Sequence, residues 1–206
     1  ANTNGQLGQS DVTARSTPTQ VGLYSWNAIG CGTSFTTAVR ADGALFTWGI
    51  NTNGQLGQGN TNDIYIASPV QVGTLNTWYQ VSCGLNYITA IKNDGTLWAW
   101  GNNSYGQLGQ NDYLHRSSPV QVGALTNWSK IAGTEQNGAM VLKNNGTLWA
   151  WGGGAGNPGQ LGLNSTVSTS SPQQVGALTN WSSASFGNYT TVAVKTDGTL
   201  WTWGKN

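Results

Sequence analysis

The amino-acid sequence predicts an all-β fold made of four side-by-side copies of one small antiparallel sheet. Three observations predict it. Five short markers recur in the same order four times along the 206 residues. Apolar and polar residues alternate on both sides of each turn pair, which is the period of a half-buried strand. No segment carries a helical period with caps.

Each unit opens with Gly-Gln-Leu-Gly, at Gly5, Gly54, Gly106 and Gly159. A phosphate cradle needs such glycines to feed a helix N-terminus and a Lys. Neither follows here, so the segment reads as a structural loop. Its glycines permit positive φ, and Leu7, Leu56, Leu108 and Leu161 anchor it in the core. Its Gln hydrogen-bonds local backbone. A Pro follows at Pro18, Pro69, Pro119 and Pro172, inside strings such as SPVQVG that read as a strand. Next comes a Trp that begins another strand, at Trp26, Trp78, Trp128 and Trp181. Two further strands flank Asp42-Gly43, Asp94-Gly95, Asn145-Gly146 and Asp197-Gly198. Asp-Gly and Asn-Gly suit the type I′ turn of a two-residue hairpin. A Trp-Gly pair closes the unit at Trp48, Trp100, Trp151 and Trp203.

A sheet of three or four strands cannot bury both faces alone. Copies arranged around an axis solve this, and roughly 50 residues per copy is in the range of propeller blades. The expectation is a β-propeller-type array of four blades, in one repeat domain over 1–206, with units near 1–49, 50–101, 102–152 and 153–204. The eight Trp residues in two repeated positions read as packing between blades. Trp98, Trp149 and Trp201 stand two residues before a closing Trp, share its face, and also read as core. The chain starts at Ala1 without Met, which fits either a removed leader or a segment of a longer polypeptide.

The string WGINTNGQLGQGN, with SPVQV, VSCG and KNDGTLWAWG, resembles the regulator-of-chromosome-condensation repeat family. The resemblance covers essentially the whole chain and implies four-stranded propeller blades. Family members usually have seven blades, and this chain supplies four. A closed four-bladed ring, two chains sharing a larger ring, and part of a larger propeller all follow from the repeat. The family's nucleotide-exchange residues find no counterpart. Its His after the Trp block is replaced by Phe35, Tyr87, Gly138 and Thr190.

Composition narrows the function. Charged residues make up 7% and the net charge is +1, which provides no basic footprint for nucleic acid. No run of about 18 apolar residues is present, so no segment reads as inserting into a membrane as a helix. Acid–base chemistry draws on His, Asp and Glu, and the chain has one His and seven acids. His115 with Asp112 or Glu135 is the one candidate pair. Asp11, Asp63 and Asp112 provide one carboxylate per loop, too few for calcium. No enzyme, cofactor or metal is therefore expected. Cys31 and Cys83 read as two small buried thiols rather than a disulfide. Arg40, Lys92, Lys143 and Lys195 precede each hairpin turn. They read as solvated ends near the turn Asp, with a positive crown as the alternative.

The segments between Gly-Gln-Leu-Gly and Pro differ while the scaffold repeats. Tyr65, Tyr113, His115 and Arg116 lie there, and Tyr and Arg are enriched in binding hot spots. The expected function is a non-catalytic interaction or structural module that contacts a protein partner or copies of itself. Carbohydrate binding through exposed indoles is the alternative. Low charge and repetitive β structure suggest an extracellular, cell-surface or virion setting.

Overall fold

The computed structural model describes residues 1–62, 64–135, 137–153, 159–187 and 189–205, with backbone alone at Glu135. Every regular element among them is a strand. The first sheet holds β1 (Trp26–Cys31), β2 (Phe35–Arg40), β3 (Leu45–Ile50) and β4 (Tyr65–Gln71). The second holds β5 (Trp78–Cys83), β6 (Tyr87–Lys92), β7 (Leu97–Gly101) and β8 (Arg116–Gln121). The third holds β9 (Trp128–Glu135), β10 (Gly138–Lys143), β11 (Leu148–Gly152) and β12 (Thr169–Gln174). The fourth has three strands, β13 (Trp181–Phe186), β14 (Thr190–Lys195) and β15 (Leu200–Gly204).

All pairings are antiparallel between chain neighbours. The first strands of successive sheets stand side by side, β1 against β5, β5 against β9 and β9 against β13. The second strand of each sheet also packs on the first strand of the next. This is the blade arrangement of a propeller.

Each hairpin departs from the expected type I′ turn. Gly43 has φ 86°, whereas Asp42 is absent from the left-handed region. The Gly43 N–H donates to Arg40 O at 2.8 Å, and the Arg40 N–H donates to Ala44 O at 2.8 Å. That is a three-residue loop, a type I turn followed by a left-handed Gly. Asp42 favours it by accepting the Ala44 N–H on Oδ1 at 3.1 Å. The glycine has a second duty. A Cβ on Gly43 would stand 2.4 Å from Asn76 O, in the segment leading to the second sheet. That approach lets the Trp78 N–H donate to Gly43 O at 3.0 Å. Trp128 bonds Gly95 O and Trp181 bonds Gly146 O in the same way. The turn pair and the Trp marker are thus two halves of one link between blades.

The core lies in the junctions. Phe35, Val39 and Leu45 of the first sheet meet Trp78, Val81 and Cys83 of the second. The Tyr87 hydroxyl donates to Gly138 O across the next junction. Trp100 and Trp151 are fully buried, while Trp48, Trp78, Trp128 and Trp181 are nearly so. Leu56, Leu108 and Leu161 are fully buried. Trp26 and Trp203, in the end sheets, and Leu7, in the first Gly-Gln-Leu-Gly loop, are half-buried. Trp201 was expected in the core, but 45% of it is exposed, and among the described residues no strand pairs with the outer edge of β15. Cys31, expected to be buried, is exposed at the end of β1, and among the described residues no sheet packs on that side of it. Cys83 is buried, and the two thiols are not bonded. Burial pushes the Cys83 thiol well above its ordinary pKa, with a smaller contribution from Cys31.

Candidate interaction surface

The loops that enter each sheet are held by neutral side chains. Asn51, fully buried, accepts the Leu56 N–H at 3.1 Å and donates to Asn60 O at 3.0 Å. Asn103 does the same with the Leu108 N–H and Asp112 O, and Asn2 with the Leu7 N–H and Asp11 O. Gln6, Gln55 and Gln107 each accept a backbone N–H two residues earlier. The carbonyls of those three Gln residues and of Gln160 receive the Nε1–H of Trp48, Trp100, Trp151 and Trp203, at 2.9–3.0 Å.

The last glycine of each loop makes that bond fit. A Cβ on Gly57 would lie 2.7 Å from Trp100 Nε1, and φ there is +69°. No side chain other than hydrogen meets both conditions without strain.

The three lysines before the turns are neither a crown nor solvated ends. Lys92, Lys143 and Lys195 are 7%, 6% and 8% exposed. The Lys92 Nζ lies 3.7 Å from the Trp98 ring centre and 4.7 Å from that of Trp78. Lys143 repeats this on Trp149 and Trp128, and Lys195 on Trp201 and Trp181. Burial lowers the pKa of Lys92, with a partial opposing pull from Asp94, and burial lowers that of Lys143. The indole faces attract the ammonium and offset part of that cost. Arg40 keeps a turn partner, with Nη2 2.6 Å from Asp42. That bond, helped by the Ala44 N–H, lowers the Asp42 pKa to about 2.

Two of the exposed aromatic groups stand in the variable segments, Tyr65 at the start of β4 and Tyr113 in the loop before β8. Tyr65 and Tyr113 are 47% and 56% exposed, and Ile64 and Leu114 stand beside them at 65% and 66%. No ring contact joins the two tyrosines among the described residues. His115 is exposed, yet its Nδ1 accepts the Asn103 N–H at 2.8 Å. Arg116 pairs with Asp112. Burial would raise the Asp112 pKa, but bonds from the Leu114 N–H and Arg116 outweigh it and lower it. His115 and Asp112 are therefore both engaged in holding the loop. Arg15 and Asp11 form the same brace at 2.6 Å in the first loop. Asp63 and the Glu135 side chain lie outside the described residues. No group of three or more metal-binding side chains occurs among the described residues.

Sequence reasoning missed a groove of about 650 Å³ over the first junction, lined by Arg40, Asp42, Tyr79, Gln80, Asn93 and Lys130. Strand alternation after Trp78 was the available signal, since it turns Tyr79 outward, where it is 62% exposed. Two smaller clefts, of about 370 and 550 Å³, repeat between blades beside Trp98 and Trp149.

A family profile described as the regulator of chromosome condensation (RCC1) repeat matches residues 42–91, 94–139 and 145–194. A second profile for this repeat matches 26–55 and 78–107. The human probable E3 ubiquitin-protein ligase HERC6 is 32% identical over 217 residues, covering 100% of this chain and 21% of its own length. The Arabidopsis thaliana ultraviolet-B receptor UVR8 is 33% identical over 210 residues, covering 98% of this chain and 47% of the receptor. The crystal structure of Saccharomyces cerevisiae Prp20p, whose binding to Gsp1p and histones was described with it, superposes with a TM-score of 0.75. Identity there is 20%, over 90% of this chain and 46% of Prp20p. The chain thus spans from about a fifth to about half of the length of these three proteins. These relatives are proteins of the cell interior, which overturns the expected extracellular, cell-surface or virion setting.

Proposed function

Since the chain belongs to the regulator of chromosome condensation repeat family, we propose that it is a non-catalytic protein-interaction module that reads its partner with the loops before β4 and β8. One observation carries the reading. Ile64, Tyr113 and Leu114 are exposed on loops whose backbone is pinned by buried Asn residues, and the exposed Tyr65 opens the strand that follows the first of them. An aromatic contact on a pre-ordered loop loses little entropy on binding, and rigid scaffolds commonly carry recognition on such loops. His115 and Arg116 serve as braces that set the height of Tyr113. Relatives lend general support, since Prp20p is described with its binding to Gsp1p and histones. No exchange chemistry is carried over.

Carbohydrate binding has less support. The faces of Trp98 and Trp149 that a sugar ring would stack on are already approached by Lys92 and Lys143.

The test places a photo-crosslinking amino acid at Tyr113 and, as a control, at Leu178 in the loop before β13. Cross-linked partners from cell extract are identified by mass spectrometry. A partner captured from 113 and not from 178, and bound at least tenfold more weakly by Tyr113→Ala, supports the reading. Equal capture from both positions, or binding indifferent to Tyr113→Ala, refutes it.

A further inference from the structure

Lys92 is only 7% exposed, yet its ammonium has no hydrogen-bond acceptor among the described residues. No carboxylate stands within ion-pair distance of it among them either. Asp94, two residues on, turns its Oδ1 to the Thr96 N–H at 3.0 Å and the Thr96 hydroxyl at 2.6 Å. The rings of Trp78 and Trp98 offer the charge their faces but no oxygen. A buried cation is compensated in full only when its N–H groups also meet acceptors.

Lys92 lines the cleft of about 370 Å³ beside Trp98. Its Nζ is not sealed. The indole N–H groups of Trp78, Trp128 and Trp181 are shut away from solvent without a partner, and Lys92 Nζ is not among such atoms. Val72, Leu75, Trp98 and Pro119 make the walls largely apolar, and every lining side chain except Lys92 is neutral.

We propose that this cleft takes the carboxylate of a glutamate side chain on a partner protein, with the Lys92 ammonium as its counter-ion and Val72, Leu75 and Pro119 against its methylene stem. One cation among neutral walls balances one negative charge. A phosphate group carries close to two at neutral pH. The fork of Arg often grips it, and no Arg lines the cleft. Leu75 is 53% exposed at the cleft while Lys92 lies beneath the surface. The carboxylate passes the one to reach the other, and glutamate has a methylene more than aspartate with which to do so. The next cleft has equivalent walls in Val122, Leu125, Trp149 and Pro172, but Lys143 does not line it. Of the two, only the first joins such walls to a charge. The site uses residues other than the loops before β4 and β8 that carry the reading above, so either can fail alone.

The test uses the 206-residue chain and the capped peptide acetyl-Ala-Glu-Ala-amide, followed through the assigned indole N–H resonances. A short peptide held at one ion pair binds in the millimolar range. Saturable shifts are expected at Trp78 and Trp98 and not at Trp128 and Trp149. Binding at least tenfold weaker is expected for the peptide with Gln in place of Glu, and for Lys92→Met. Leu75→Asp, a change at an exposed side chain, should weaken it as much and serves if Lys92→Met does not fold. Leu125→Asp, the matching change at the second cleft, should leave it unaltered. The absence of a saturable shift overturns the proposal. So does equal binding of the Gln peptide, or binding indifferent to the Lys92 and Leu75 changes. Tighter binding of a phosphoserine peptide, or of acetyl-Ala-Ala-Ala with a free carboxyl end, overturns the choice of glutamate in favour of a phosphate or a chain terminus.

Discussion

The buried lysine between two indoles is the feature with the most direct energetic consequence, and Lys143 isolates it. Its turn carries Asn145 rather than Asp, and no carboxylate lies within ion-pair distance of it among the described residues. Its Nζ stands 3.6 Å from the Trp149 ring centre and 4.6 Å from that of Trp128. A desolvated cation–π contact contributes about 2 kcal/mol, an exposed one about 0.5–1. Lys143→Met keeps the apolar stem and removes the charge, and Trp149→Leu removes the nearer ring. A double-mutant cycle by urea denaturation at pH 7 is expected to give a coupling of about 1–2 kcal/mol. Alkaline pH gives an independent readout. Burial lowers the Lys143 pKa below 10.5, so the unfolded chain binds more protons in the window just below that value. Stability contributed at this site therefore rises with pH there, and Lys143→Met should flatten the rise. A coupling below about 0.3 kcal/mol, within the error of additivity, would refute the clamp.

Other perturbations follow from the same junctions. Trp100→Ala removes a fully buried indole and should cost about 3–5 kcal/mol by equilibrium denaturation; a loss below about 1 kcal/mol would contradict its place in the junction. Gly109→Ala forces a side chain to φ +67° and places Cβ 2.9 Å from Trp151 Nε1. The left-handed backbone costs about 1–2 kcal/mol and overpacking about 1–3, so a loss of about 2–5 is expected, and Gly123→Ala, with open space around it, should lose only the backbone share. Asp11, Asp42, Asp94, Asp112 and Asp197 all have lowered pKa values, Asp42 to about 2. The unfolded chain then takes up protons first, so stability is full above about pH 4 and falls toward pH 2; Asp42→Asn should shallow that fall. A thiol reagent at neutral pH should label Cys31 at once and Cys83 only on unfolding, since one is exposed and the other buried.

Much of this fold was legible because its parts obey local rules. Alternation identified the strands, and the recurring glycines marked the loops that turn under each Trp. Three things were hidden, each for a physical reason. The turn type was misread because Asp-Gly satisfies two hairpins, and the choice rests on the Asp42 bond to Ala44. The lysines looked solvated because a charge at a hairpin end usually is. Only the register, which faces Lys92 with Trp78, shows that it also lies over the Trp98 ring. The exposure of Trp201 and Cys31 depends on what stands beside the end sheets, which no single repeat encodes. Of the candidate site, the exposure of Tyr65 and Tyr113 was legible from their place in the variable segments, whereas the bonds of His115 to the Asn103 N–H and of Arg116 to Asp112 were not, because they depend on the path of the folded loop.

The separation of scaffold from loop has a chemical origin. Asn2, Asn51 and Asn103 grip their loops through main-chain carbonyls, those of Asp11, Asn60 and Asp112. The Gln residues likewise bond backbone N–H groups, and the Trp residues bond Gln carbonyls. A carbonyl is the same whatever side chain stands beside it. The anchors therefore fix the path of the loop without fixing its sequence, and QGNTNDIYIAS and QNDYLHRSS follow equivalent Asn clamps. Had the loops been anchored by salt bridges alone, each change of sequence would have moved the backbone. Amide anchoring also explains why a chain with 7% charged residues holds ordered loops, and it gives the exposed Tyr65, Tyr113 and Leu114 side chains no part in that anchoring.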